Sequence, residues 1–219
     1  MTDTDSNYSI ESDEFIWNES ASPASHSDLA PIVLKHLKTI ALKQNYPLQV
    51  LDLGCGNGAF SSIILREGYE VAACDFSLSG ISLATKNFPE ISFFKHDMDE
   101  SFSSKYQRKF NVVVSLEVIE HLYRPRALFK RAKEVLKEDG YIILSTPYHG
   151  YLKNMALALF AKFDDHWHPL RDFGHIKFFS KSTLVQCISE CGFEMTSFNR
   201  VGRIPALAKH MVAVAKLIG

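Results

Sequence analysis

Val50-Leu51-Asp52-Leu53-Gly54-Cys55-Gly56-Asn57-Gly58 is the stretch that decides the fold. A short apolar run, Leu48 to Leu53, stops at a glycine turn, and Ala59 to Arg66 resumes at helical spacing. This reads as a buried strand, a tight turn, and a helix whose N-terminus faces whatever the turn holds. Working outward, the same alternation recurs. Val71 to Cys74, Ile91 to Lys95, Phe110 to Leu116, Tyr141 to Ser145 and Phe193 to Arg200 read as strands. Ser79 to Asn87, capped by Ser77, Pro125 to Lys137, opened by its proline, and Ser180 to Cys191, stopped at Gly192, read as helices. Upstream, Ile32, Leu34, Leu37, Ile40 and Ala41 make Pro31 to Lys43 an amphipathic helix. Strands alternating with helices of this length imply an α/β fold, a mostly parallel sheet with helices on both faces, and a single domain over residues 1–219.

The end of the chain admits two readings. Ile204, Leu207, Ala208, Met211, Ala215 and Ile218 fit a basic amphipathic helix lying on a membrane surface. Met211 to Leu217 also fits a strand after a short turn at Pro205 to Lys209. The strand is preferred, because a strand at 193–200 needs a partner on its edge.

Composition narrows the function. Among 219 residues, 24 Lys and Arg balance 25 Asp and Glu, and 46% are hydrophobic. A net charge of −1 supplies no global field for nucleic acid, so none is expected as a partner. No apolar run is long enough to span a bilayer. The acidic N-terminus is unlike a signal peptide, and Met1 to about Tyr8 is expected to fray. Residues 1–25 form a partly flexible N-terminal segment. Cys55, Cys74, Cys187 and Cys191 lack CxxC spacing and read as reduced thiols of a cytoplasmic protein.

Three acids follow three successive strands. Asp52 precedes the first glycine, Asp75 ends the second strand, and Asp97 follows the third in His96-Asp97-Met98. Glycines and acids at successive strand ends favour a nucleoside-type ligand over a plain βα turn with surface acids. Asp75 suits the hydroxyls of a ribose, and Asp97 an adenine amino group. Asp52 would repel a pyrophosphate and attract an ammonium. That favours S-adenosyl-L-methionine over NAD, although Ala59 at the third glycine position is tolerable in a dinucleotide fold.

These motifs together resemble the class I S-adenosylmethionine-dependent methyltransferases. Val50 to Gly56 is similar to that family's first motif, Cys74-Asp75-Phe76-Ser77 to the second and His96-Asp97-Met98 to the third. Phe110 to Leu122 resembles the fourth strand and its turn, and Gly140 to Pro147 the fifth strand. The resemblance spans roughly residues 26–216. It implies a Rossmann-like seven-stranded sheet with an antiparallel last strand, and a backbone carbonyl near Leu116 beside the cofactor. The cofactor contacts it implies are Asp52, Gly54, Cys55, Gly56, Asn57, Asp75, Phe76, Asp97, Met98 and Leu116. Glu117-Val118-Ile119-Glu120-His121 further resembles ubiquinone-biosynthesis O-methyltransferases and related bacterial small-molecule methyltransferases.

Glu117, Glu120 and His121 fall at i, i+3 and i+4, one face of a helical turn. With His175 they make a donor set for a divalent metal such as Mg, Mn or Zn. Some ubiquinone-pathway and small-RNA 2′-O-methyltransferases are similar here and hold such an ion. A similar Glu-His pair also occurs in methyltransferases without metal.

After the fifth strand, residues 147–179 form an insert rich in aromatics and histidine, with a helix over Lys153 to Phe163. It reads as the pocket and lid for a small-molecule or lipid- or sugar-linked acceptor, against the plainer reading of a loop bridged by its histidines. His149 or His121 would take the acceptor's proton. Phe15-Ile16-Trp17-Asn18 and Ser22 to His26 serve either as a cover for the cofactor or as a plain cap. The expected activity is in-line methyl transfer, most simply to oxygen, with peripheral membrane contact open. Competing readings are an NAD-dependent oxidoreductase, opposed by Asp52 and by the lack of a Tyr-x-x-x-Lys pair after the fourth strand, and a cofactor-binding scaffold without turnover.

Overall fold

A computed structural model describes residues 15–17, 23–44, 47–167, 169–202, 204 and 207–218. Seven strands form one sheet in the order β3-β2-β1-β4-β5-β7-β6. β1 (Gln49–Leu53), β2 (Glu70–Asp75), β3 (Ser92–Lys95), β4 (Phe110–Leu116) and β5 (Leu136–Pro147) are mutually parallel. β7 (His210–Leu217) runs antiparallel between β5 and β6 (Phe193–Val201). The chain end is therefore a strand, and it pairs with β6 as the argument from the strand at 193–200 requires. The turn expected at Pro205 to Lys209 includes Pro205 and Ala206, which lie outside the described residues. So do Met1 to Tyr8, Asn18 and Ser22.

Strand alternation divides the core into two layers. Leu51, Val113, Ile142 and Ala213 point to one face, under α4 (Arg126–Val135) and α7 (Lys181–Glu190). Val50, Val112, Val114, Val212 and Val214 point to the other, under α1 (Ala24–Gln44) and α2 (Ala59–Arg66). α3 (Leu78–Asn87) packs beside β2 and β3, and Ser77 caps it by accepting from the Gly80 amide.

Three elements differ from expectation. α1 begins seven residues before Pro31 and runs through it. Its buried stripe is Leu29, Val33, Leu37 and Ile40, so apolar contacts continue upstream while Pro31 sits on the exposed side. α4 ends at Val135 rather than Lys137, because Leu136 turns into the core and opens β5. The insert holds two helices, α5 (Tyr151–Leu159) and α6 (Phe163–Trp167), in place of one.

The strand order reverses between β1 and β4, and the carboxyl ends of those strands line the crevice where ligands bind in such sheets. No helix among the described residues is long and apolar enough to cross a membrane.

Candidate active site

On the β1–β3 side of the crevice, the backbone is pinned from several directions. The amides of Gly54 and Cys55 both donate to the Cys74 carbonyl, which ties the turn to β2. Gly54 and Gly56 have φ of 87° and 54°, in the left-handed region that favours glycine. A Cβ on Gly56 would collide with the Trp17 ring, so the turn is also packed against from outside. Asp75 closes β2 with Oδ2 accepting from the Gly56 amide and Oδ1 from the Ser77 amide, both at 2.8 Å. A carboxylate has about four acceptor sites, so one at a strand end can take ligand hydroxyls as well as backbone amides.

Asp52 sits deeper than expected. It is 2% exposed, and Oδ2 accepts a 2.6 Å bond from the Ser61 hydroxyl on α2. Burial pushes its carboxyl up to about 7, opposed by the Ser61 bond and aided by the Asp75 charge. Asn57 is also inside, where Oδ1 accepts from the Ala59 amide at the start of α2. Cys55 and Cys74 are buried, and burial raises both thiols well above the usual range. All four cysteines are free. Phe76 and Asp97 are exposed at the crevice side of β2 and β3, Met98 is half-buried, and Leu116 ends β4 against the core.

Phe15 and Trp17 belong to this side. The Phe15 carbonyl accepts from the Ser77 hydroxyl, and the Trp17 amide donates to Ser79 Oγ. The sequence singled out the stretch but neither residue. An aromatic ahead of a glycine turn carries no local signal that it will fold back upon it.

The β4–β7 side is built from titratable side chains. Glu120 is fully buried, and neither of its carboxylate oxygens meets an aligned hydrogen-bond donor among the described residues. Burial pushes it well above the carboxylate range. The Glu117 charge adds to the shift, and the nearby Thr146 hydroxyl eases it without an aligned bond. Ligand atoms of Glu120, His121 and His175 lie within 4.8 Å of one another. The amides of Ile176 and Lys177 both donate to the Glu120 carbonyl, which clamps the end of the insert to the turn after β4 and brings His175 in. His121 Nδ1 lies 2.9 Å from the Phe173 carbonyl, which fixes that nitrogen as the donor and leaves the lone pair on Nε2. Burial lowers His175 to about 4, so it stands neutral, as a ligand must.

Glu117 does not join this trio, contrary to the i, i+3, i+4 expectation. Its φ is 55°, and only Ile119–His121 forms a 3₁₀ turn, so the helical register does not extend back to it. Its carboxylate instead accepts from Ser145 Oγ at 2.7 Å and from His210 Nδ1 at 2.9 Å. Neither His210 nor His26, whose charge interacts with Glu117, was found in the sequence. The antiparallel last strand was the available clue for His210, since it brings the start of β7 to the carboxyl end of β5.

His149 is 6% exposed, and its ring meets Phe178 edge-on at 5.1 Å. It lines a cavity of about 750 Å³ between Tyr148–Tyr151 and α7. Lys153, also buried, donates to the Tyr148 carbonyl. Tyr151, Met155, Leu159, Phe160 and Leu170 of the insert are exposed large apolar residues. Of the insert's histidines, His168 and the side chain of His166 lie outside the described residues.

A doubly wound sheet, a pinned glycine turn and an acid ending β2 together fit a nucleoside-containing cofactor. Residues 26–197 match the model of a methyltransferase domain, and the chain belongs to that family. It is an S-adenosylmethionine-dependent methyltransferase. The chain is 27% identical over 167 residues to the ubiquinone biosynthesis O-methyltransferase of Rickettsia canadensis, covering 74% of this chain and 69% of that one. Its fold is similar to an S-adenosylmethionine-dependent methyltransferase of Methanosarcina mazei, with a TM-score of 0.67, 21% identity, and coverage of 87% and 99%. It is also similar to magnesium protoporphyrin IX methyltransferase of Synechocystis, solved with S-adenosylhomocysteine, with a TM-score of 0.65, 16% identity, and coverage of 90% and 89%.

Proposed function

We propose that the protein methylates a hydroxyl of a small, largely apolar acceptor, a phenol being the best fit, using a divalent metal beside that hydroxyl. The observation that carries this reading is Glu120: a fully buried carboxylate without an aligned donor, adjoining two histidines at the crevice. Leaving such a group unpaired costs free energy, and a cation would remove the cost. Glu120, His121 and His175 would hold the ion. Bound there, a divalent metal lowers the pKa of a neighbouring hydroxyl. The exposed apolar side chains of the insert, Tyr151, Met155 and Leu159 on α5 among them, suit an acceptor with an apolar portion, or the membrane surface that carries one. That the curated relatives are O-methyltransferases of ubiquinone biosynthesis supports the same class.

In this reading Asp75 and Phe76 hold the ribose of the methyl donor, and Asp97 and Met98 its adenine. Gly54, Cys55, Gly56 and the Leu116 carbonyl line the methionine end. Asp52 and Asn57 shape that end from inside, Asp52 also supplying negative charge toward the ammonium and sulfonium. The chain's main contribution is to align the donor methyl with the acceptor oxygen. His149 packs the insert from inside through Phe178 and Trp167, and the protein acts within a single domain.

The test is a thermal-shift series with Mg, Mn and Zn on the wild type and Glu120→Ala. The expected result is a stabilisation by one ion that the variant loses, together with methylation of catechol that the ion enhances. Equal shifts in both proteins would remove the metal. Methylation of an amine in place of any phenol would remove the hydroxyl.

A further inference from the structure

We infer that His210, oriented by Glu117, is the base that takes the acceptor's proton; this deepens the O-methylation proposed above and rests on it. The register puts His210 opposite Pro147, the last residue of β5, at the carboxyl edge where the other site residues gather. Its side chain shares a face with Val212 and Val214, the face covered by α1, where His26 stands.

One bond fixes the carboxylate that holds it, and two more fix its backbone. Ser145 Oγ donates to Glu117 Oε1 at 2.7 Å, and the Glu117 amide is bonded to both Ser145 Oγ and the Ser145 carbonyl. With that side chain locked, Oε2 accepts from His210 Nδ1 at 2.9 Å. Nδ1 therefore carries the proton, and Nε2 carries the lone pair. Among the described residues Nε2 has no hydrogen-bond partner, and the side chain keeps 14% of its surface exposed. The other imidazoles are placed differently. His121 is held by backbone carbonyls in the metal trio, His175 abuts Glu120, and His149 is enclosed by Phe178 and Trp167. A base held by a carboxylate with its second nitrogen open is the arrangement that nucleophile activation requires.

The step balances. The acceptor O–H proton passes to His210 Nε2 as an oxygen lone pair forms the bond to the methyl carbon. The carbon–sulfur bond breaks, and its electron pair returns to sulfur, neutralising the sulfonium and giving S-adenosylhomocysteine. One positive charge leaves the sulfur and one appears on the imidazole, where Glu117 faces it. His26 from α1, Lys153 from α5, and Glu120, His121 and His175 of the neighbouring trio also interact with Glu117. The imidazolium then releases its proton to water.

The experiment measures methyl transfer from S-adenosylmethionine to catechol and to 3,4-dihydroxybenzoate, with S-adenosylhomocysteine affinity determined on each protein by calorimetry. His210→Asn keeps an N–H for Glu117 but has no second ring nitrogen, and His210→Ala leaves room for added imidazole. The expected result is a fall in kcat of about 100-fold or more in both variants, an unchanged Kd for S-adenosylhomocysteine, and recovery of His210→Ala by imidazole. Wild-type kcat in His210→Asn, or a fall in kcat matched by an equal loss of affinity, overturns the inference. A wild type that binds S-adenosylhomocysteine but methylates neither phenol overturns the phenol reading, and this inference falls with it.

Discussion

The two halves of the crevice are built by different means. From β1 to β3, the chain bonds to itself: Gly54 and Cys55 to Cys74, Gly56 and Ser77 to Asp75, Phe15 and Trp17 to Ser77 and Ser79. From β4 to β7, side chains face one another, and one buried carboxylate lacks an aligned donor. The first half can be rigid, because every reaction of the enzyme uses the same donor. In the proposed reaction the second holds the groups whose protonation and bonding change, and a buried carboxylate kept for that role costs stability.

That contrast predicts opposite outcomes for two acid substitutions. Asp75→Ala strands two backbone amides and removes the ribose acceptor, so S-adenosylhomocysteine binding should weaken by about 10- to 100-fold, with about 1–3 kcal/mol of folding stability lost. Glu120→Leu removes a buried carboxyl that has no aligned partner, and should stabilise the metal-free protein by about 1–4 kcal/mol while leaving that affinity unchanged. Calorimetry and urea denaturation read both. Destabilisation of the metal-free protein by Glu120→Leu would break the comparison.

A smaller effect comes from pH. Asp52 titrates near 7 in the fold, so it is mostly protonated at pH 6 and mostly ionised at pH 8. A cationic ligand end prefers the ionised form, and S-adenosylmethionine affinity should rise by about tenfold across that range in wild type but not in Asp52→Asn. The sign for stability is the reverse. A carboxyl raised by burial binds its proton more tightly when folded, so its stabilisation is complete below the unfolded value of 3.8 and is lost as pH rises through 7. Asp52→Asn should therefore flatten the decline in urea midpoint between pH 5 and 8.

The smallest effect is expected at His26. Burial lowers it to about 4, opposed by the Glu117 charge, so it is neutral in the fold while the unfolded chain protonates near 6.5. Its contribution is full above 6.5 and is lost as pH falls toward 4. Replacing it with Gln should reduce the fall in urea midpoint between pH 6.5 and 4.5. An unchanged pH dependence would show that its ring does not stay neutral in the fold.

What the sequence revealed follows the same division. The apolar strands and the Ser77 cap depend on neighbours a few residues away, and the structure has them where the pattern indicated. Asp75 is recognisable because a strand end and a turn fix where a carboxylate must point. Glu117 was misplaced because its left-handed backbone, at a residue with a Cβ, leaves no trace in the pattern. The partner of Glu117, His210, lies 93 residues away and meets it only through the return of β7, a contact that local reading cannot supply. The early start of α1 failed for a related reason. Pro31 is a local stop signal, overridden by the burial of Leu29 against the sheet.

The central claim, that the pinned half of the crevice is built for a sulfonium nucleoside and not for a dinucleotide, is tested most directly by calorimetric titration of the wild-type protein. S-adenosylhomocysteine should bind at one site per chain while NADH gives no heat of binding. Binding of NADH, with none for S-adenosylhomocysteine, would contradict the account.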